Sequence, residues 1–308
     1  MNSQNQLNRR NFLGKMLSGT TAGLAATTFW PPRDAMAGPW PEEGWQIGCY
    51  TRPWAKYDYR MAMDAVAEAG FRYLGLTGAK TKTGRVIAAG TSHEEAVRVG
   101  EEARKRGLQI PIAYGGRFPA NKSVQAGIES LRKMIDNTQA AGAWSVQITS
   151  LGTEKTYPDY CKTVAECCDY AAERKVALVV KPHGAMVGTG PLLRRAVEKI
   201  GHPNFRVWYD PGNIFYYSDG KVDPVEDCKA VDGLVVGMCV KDYQHPKKVA
   251  VTPGDGQVDF PALMRRMAKG GFTHGPLIVE TLKSGDLAQT LREAKRARQF
   301  LEQLVGRS

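Results

Sequence analysis

The chain has 308 residues, 43% of them apolar and 24% charged, the balance of an ordinary globular protein with a substantial core. Its net charge is +11, of which the first 37 residues carry +3 (Arg9, Arg10, Lys15 and Arg33 against Asp34), leaving +8 for the rest. That basicity suits an anionic small molecule or a nucleic acid; with no Lys/Arg cluster interleaved with aromatic residues, it reads as a solvated basic surface, and no nucleic-acid partner is expected.

The first segment reads as a targeting signal rather than as fold. Asn8 to Lys15, NRRNFLGK, pairs two arginines with Phe-Leu and a basic residue, as a twin-arginine export signal does. The stretch behind it, MLSGTTAGLAATTFW, is too short and too polar for a permanent membrane span, and Ala35-Met36-Ala37 supplies a small-x-small cleavage site. Residues 1–37 are therefore expected to be a signal peptide, and the mature protein to be exported to the periplasm, folded before it leaves the cytoplasm.

From residue 45 to residue 306 the chain alternates short β-rich runs with amphipathic helical ones. The predicted strands are 45–51, 73–77, 109–115, 144–150, 176–182, 205–211, 235–242 and 275–281. The predicted helices lie at 60–70, 94–107, 126–142, 160–175, 190–201, 224–231, 260–271 and 291–305, several closed by glycine. Eight strand–helix pairs predict one α/β domain, a (β/α)8 TIM barrel; an open doubly wound sheet is the alternative, weakened because no G-x-G-x-x-G opens the first helix. The six cysteines form no C-x-x-C pair, and Cys161, Cys167 and Cys168 share one predicted helix, where packing explains them.

In such a barrel the chemistry sits at the C-terminal strand ends. Those ends carry Tyr50 and Arg52, Tyr114 and Arg117, Gln147 and Thr149, Lys181 and His183, Asp210 and Asn213, Cys239, Lys241 and Asp242, and Glu280. Glu280 at the end of an apolar strand is hardest to explain structurally, because a buried unpaired carboxylate is costly.

Three segments, WYDPGN (208–213), VKDYQHPKKVAVTPGDGQVDF (240–260) and GPLIVET (275–281), together with IGCYTRPW (47–54), resemble the sugar phosphate isomerase/epimerase family of xylose isomerase-like TIM barrels. The resemblance implies one divalent metal (Mn, Mg, Zn or Co) held by Glu, Asp, His and Glu from strands 5 to 8. Matched position by position, Asp210 and Glu280 agree, whereas Lys181 stands for the first Glu and Cys239 for the His. An ammonium beside Asp210 and Glu280 competes with a divalent ion for the same negative field. Two readings follow: Lys181 replaces the metal's charge, or His183 takes over coordination with Asp210 and Glu280.

The resemblance implies an enzyme that isomerises, epimerises or eliminates across a sugar or sugar derivative by proton transfer next to a carbonyl. The candidate catalytic residues are Lys181, Glu280, Lys241 and Asp242; Arg52, Tyr114 and Asn213 are candidate substrate-binding residues, and His183, Asp210 and Glu280 candidate metal ligands. The partner is a small carbohydrate. The alternative is a carbohydrate-binding barrel that has lost turnover; a metal-dependent nuclease of the same superfold is disfavoured with five histidines in all.

Overall fold

The computed structural model describes residues 44–306; the expected signal peptide, residues 1–37, lies outside them. The strands β1 Trp45–Tyr50, β2 Tyr73–Leu76, β3 Gln109–Tyr114, β4 Ser145–Ile148, β5 Ala177–Val180, β6 Phe205–Tyr209, β7 Val235–Val240 and β8 Gly275–Val279 follow one another around a closed barrel. Each pairs in parallel with the next, and β8 returns to β1. The expected (β/α)8 barrel is the observed fold. Every strand lies where its apolar pattern put it and ends one or two residues before the predicted end.

The outer layer holds α1 Tyr59–Glu68, α2 His93–Lys105, α3 Val124–Ala140, α4 Tyr157–Glu173, α5 Gly190–Ile200, α6 Pro211–Ser218, α7 Pro224–Asp227, α8 Phe260–Lys269 and α9 Leu287–Leu304. Side-chain caps start several of them: Ser92, Ser123 and Asp286 each accept a backbone N–H of the first turn, worth about 1 kcal/mol apiece. No described helix is long and apolar enough to cross a membrane.

Two predictions for this layer need correction. The stretch 224–231 is one short α-turn followed by a 3-10 turn, Cys228–Val231. The helix α6 was unforeseen, because Asp-Pro-Gly-Asn reads as a turn. Proline at the first helical position lacks only an N–H that would be unpaired there anyway, and Asp210 caps the helix through Asn213 N at 2.9 Å.

The barrel interior is packed rather than hollow. Tyr50, Ile112, Ala177, Val179, Trp208, Val236, Cys239 and Ile278 form one buried cluster inside it, and full burial of an isoleucine there contributes about 1.5–3 kcal/mol. Room for the large rings comes from glycine: a Cβ on Gly75 would lie 2.3 Å from the Tyr50 ring, and one on Gly237 2.4 Å from Trp208. All six cysteines are free and buried.

Strand alternation carries this interior layer to the mouth. Two residues past Val179 comes Lys181, past Trp208 Asp210, past Cys239 Lys241, past Ile278 Glu280 and past Tyr50 Arg52. A side chain two positions beyond an inward-facing one faces inward as well. The charged residues therefore stand directly above the apolar floor.

Candidate active site

Five charged side chains meet at the C-terminal end of the barrel. The Lys181 Nζ lies 2.8 Å from Asp210 Oδ2, donates to Glu280 Oε2, and donates to Cys239 Sγ at 3.5 Å. The Lys241 Nζ lies 3.2 Å from Asp210 Oδ2 and 3.0 Å from Glu280 Oε1, and donates to Asn213 Oδ1 at 3.0 Å. Arg52 pairs with the Glu280 Oε1 from the rim. Lys181, Lys241, Asp210 and Glu280 are all buried, with Arg52 partly exposed above them. Three cations face two carboxylates.

The electrostatics follow from that count. Burial pushes Glu280 upward, but the cations of Lys181, Lys241 and Arg52 outweigh it and hold the carboxyl well below its ordinary value. Burial opposes the Lys181 charge, and the carboxylates of Asp210 and Glu280 more than offset it, so Lys181 is raised well above an ordinary lysine. Lys241 moves the other way: burial lowers it, Asp210 and Glu280 only partly compensate, and the cations of Lys181 and Arg52 depress it further. Burial keeps Cys239 a thiol. The two lysines are therefore shifted in opposite directions, Lys181 towards a firmly held charge and Lys241 towards easier loss of its proton.

Beneath them the Tyr50 hydroxyl donates to Gln147 Oε1 at 2.6 Å and lies 3.4 Å from Cys239 Sγ. Asp210 divides its carboxylate, Oδ1 capping α6 and Oδ2 facing both lysines.

The predicted site residues separate into three groups. Lys181, Lys241, Glu280, Asp210 and Arg52 converge. Tyr114 and Asn213 line one cavity of about 430 Å3 with Arg52, Lys181, Lys241 and Glu280, and its wall also includes Arg85, His183, Tyr216 and Tyr217. Asn213 donates to Pro182 O at 2.6 Å while accepting from Lys241, so it positions that lysine between β5 and β6. Asp242 does not join the cluster. Its two carboxylate oxygens accept the backbone N–H groups of Tyr243, Gly254, Gly256 and Val258 at 2.8–3.1 Å. That carboxylate organises the Pro-Gly-Asp-Gly loop, where the sequence had led us to expect it among the catalytic groups.

His183 also departs from expectation. Strand β5 ends at Val180, Pro182 follows, and Gly184 turns the chain at φ 71°, so alternation stops before it reaches His183. The imidazole is exposed on the rim, its ring 5.2 Å from that of Tyr217. Partial desolvation in the concave mouth, with the cations of Lys181 and Lys241, holds it below the ordinary histidine value. The aromatic rim from α6, Tyr216 and Tyr217, went unforeseen with its helix; the Phe-Tyr-Tyr run at 215–217 was its only signal.

The donor set bears on the expected metal. Asp210, Cys239 and Glu280 bring one ligand atom each within 4.8 Å of one another. His183 is not among them; the third donor is Cys239, which corrects the set His183, Asp210 and Glu280. The Lys181 Nζ touches all three of these donors. A divalent ion seated there would need that ammonium to withdraw or lose its proton, and its raised pKa resists the second. The residues present do not fit a divalent ion while Lys181 holds this position.

The xylose isomerase-like TIM barrel profile matches residues 63–304. The chain belongs to that family. No curated protein sequence matches it. Among solved structures, this xylose isomerase-like barrel is similar to a xylose isomerase domain protein from Planctomyces limnophilus, at 17% identity, covering 85% of this chain and 98% of that one with a TM-score of 0.66. It is also similar to a D-allulose 3-epimerase from Methylomonas sp. in complex with D-allulose, at 15% identity, 87% and 99% coverage and a TM-score of 0.68. A third is the D-psicose 3-epimerase with D-tagatose from Clostridium cellulolyticum H10, at 14% identity, 84% and 99% coverage and a TM-score of 0.64. At these identities the likeness is one of fold.

Proposed function

We propose that this xylose isomerase-like barrel is an exported sugar isomerase or epimerase that moves a proton at a carbon next to a carbonyl. The single observation that carries the reading is the buried Lys181–Asp210–Glu280–Lys241 cluster at the floor of an open cavity. Such a reaction needs a proton carrier beside the carbon and fixed positive charge beside the oxygen on which the enolate develops.

The roles follow from the electrostatics. Lys181, held charged, stabilises the developing oxyanion, and Arg52 adds charge from the rim. Lys241 exchanges the proton, because burial and the neighbouring cations lower its pKa and so favour its unprotonated, basic form. Glu280 was expected among the catalytic residues. Three cations make that carboxylate too weak a base, and it instead fixes the positions of both lysines. Asp210 does the same from β6, and Tyr114 and Asn213 line the wall that orients the sugar. No step passes through a metal. Support for the sugar comes from the family and from the epimerase neighbours. Export rests on Arg9-Arg10 and the Ala35-Met36-Ala37 site.

The test is solvent exchange. The mature protein is incubated in D2O with a panel of ketoses and keto-sugar derivatives, and loss of the proton next to the carbonyl is followed by NMR. Exchange with at least one of them, abolished in Lys241→Met, supports the proposal. Sugar binding without exchange across the panel overturns it in favour of a binding barrel.

A further inference from the structure

Aromatic rings gather where the cavity meets solvent. Tyr217, near the end of α6, is 39% exposed, one of three large apolar side chains left so among the described residues. The other two, Met61 and Leu287, do not line the cavity. The Tyr217 ring is held rather than loose. The His183 ring lies 5.2 Å from it, and the Tyr216 ring meets it edge-on at 5.1 Å. Gly184 supplies a further contact, since a Cβ there would lie 2.8 Å from the Tyr217 ring.

The backbone that makes this contact is strained. Gly184 sits at φ 71° and Ala185 at φ 41°, the left-handed region that a residue with a Cβ rarely adopts. Such strain persists only where the surrounding structure holds it, and it gathers at ligand clamps and active sites. Here it carries His183 out of the strand line and sets the imidazole beside Tyr217. Core packing asks for neither side chain, because both are exposed.

The lysines lie at the floor of the cavity and these rings at its rim. His183 and Tyr114 also line a second recess of about 700 Å3. Concavities of about 300–1,000 Å3 hold drug-sized ligands, whereas a hexose has roughly twelve non-hydrogen atoms. A single hexose seated over Lys181 and Lys241 therefore leaves the rim uncovered. A pyranose ring has an apolar C–H face that packs on an aromatic ring, and hydroxyls at its edge that pair with a group such as imidazole.

We propose that the substrate is a two-ring saccharide. The keto sugar that exchanges its proton lies over Lys181 and Lys241, and the glycosidically linked second ring packs on Tyr217 beside His183. The inference rests on the proposed isomerase or epimerase reading for the first ring; the subsite for the second stands on the rim geometry alone.

The experiment is a binding titration by calorimetry with the mature protein. Isomaltulose, turanose, maltulose and lactulose, each a fructose linked to a second ring, are compared with fructose. At least one is expected to bind about tenfold more tightly than fructose. In Tyr217→Ala that ratio is expected to fall to about one, and in Tyr217→Phe, which keeps the ring face, to stay near ten. Disaccharides that bind no better than fructose across the panel overturn the proposal, as does a Tyr217→Ala protein that keeps the ratio. A ratio that collapses equally in Tyr217→Phe overturns it too, because the hydroxyl rather than the ring face would then hold the ligand. Disaccharide preference without any D2O exchange counts against the isomerase or epimerase reading alone; exchange with fructose but no disaccharide preference counts against the second ring alone.

Discussion

Lys181 and Glu280 close a salt bridge between β5 and β8, two strands that are not neighbours in the barrel. The bridge fastens the mouth across its width, and its partners lack water to replace each other. Glu280→Gln leaves Lys181 and Lys241 under-compensated in a buried site, with an expected loss of about 3–5 kcal/mol. The sign with pH follows from the depressed carboxyl: its contribution is fully present above the unfolded carboxylate value and disappears as pH falls through the lower folded value. Urea titrations of both proteins should therefore show a stability gap that persists at neutral pH and closes only in strong acid. A gap that is constant down to strong acid would contradict it.

The Lys181 ammonium in contact with all three donors predicts a metal-poor protein. Elemental analysis of the purified mature chain should find well under one equivalent of divalent ion. Lys181→Glu removes a cation and adds a carboxylate ligand, so Mn2+ affinity should rise by about tenfold or more in calorimetry. A stoichiometric ion in the natural protein would sink this account.

For turnover, the depressed Lys241 sets the pH dependence. A base works unprotonated, so the D2O exchange rate should climb with pH and level off below the 10.5 of an ordinary lysine. Lys241→Arg stays protonated throughout and should show neither the climb nor appreciable exchange. A pH-independent rate in the natural protein would rule out Lys241 as the base.

Asp242 offers a contrast between structure and chemistry. Its carboxylate accepts four backbone N–H groups, and a Cβ on Gly256 would sit 2.2 Å from its Oδ1. Asp242→Asn places an amide donor against those donors and should cost about 1.5–3 kcal/mol, read from thermal unfolding. The exchange rate at saturating substrate should change far less than in Lys241→Met. Equal loss in both would return Asp242 to the chemistry.

Export is expected to depend on the paired arginines. Arg9→Lys with Arg10→Lys should leave the protein in the cytoplasm, and the exported natural chain should have the mass of a protein starting at Gly38. A full-length exported chain would remove the targeting proposal.

Most of the barrel was legible because period-2 apolar runs and period-3.6 helices alternate cleanly, and Val176–Val180 is buried whichever way it is read. Lys181, Asp210 and Glu280 were legible because alternation extends each strand's inward face by one more step. Three features were not. His183 left the pattern because Pro182 and Gly184 bend the chain before the next inward position. Asp242 shares the strand-end address of the catalytic groups, and only the fold of the 252–258 loop shows that its oxygens are taken. The α6 rim was hidden because Pro-Gly-Asn signals a turn equally well, and the cap that makes it a helix start depends on the Asp210 side chain.

The apolar layer under the cluster, with Tyr50, Ile112, Val179, Trp208 and Ile278 all without solvent exposure, makes the site a blind alley. Whatever enters past Arg52, Tyr114 and Tyr217 must leave again on the side of the mouth, since the barrel axis offers no back exit. Product still in residence bars the next substrate, so a product analogue should act as a competitive inhibitor, and the rim residues govern how quickly the vestibule clears.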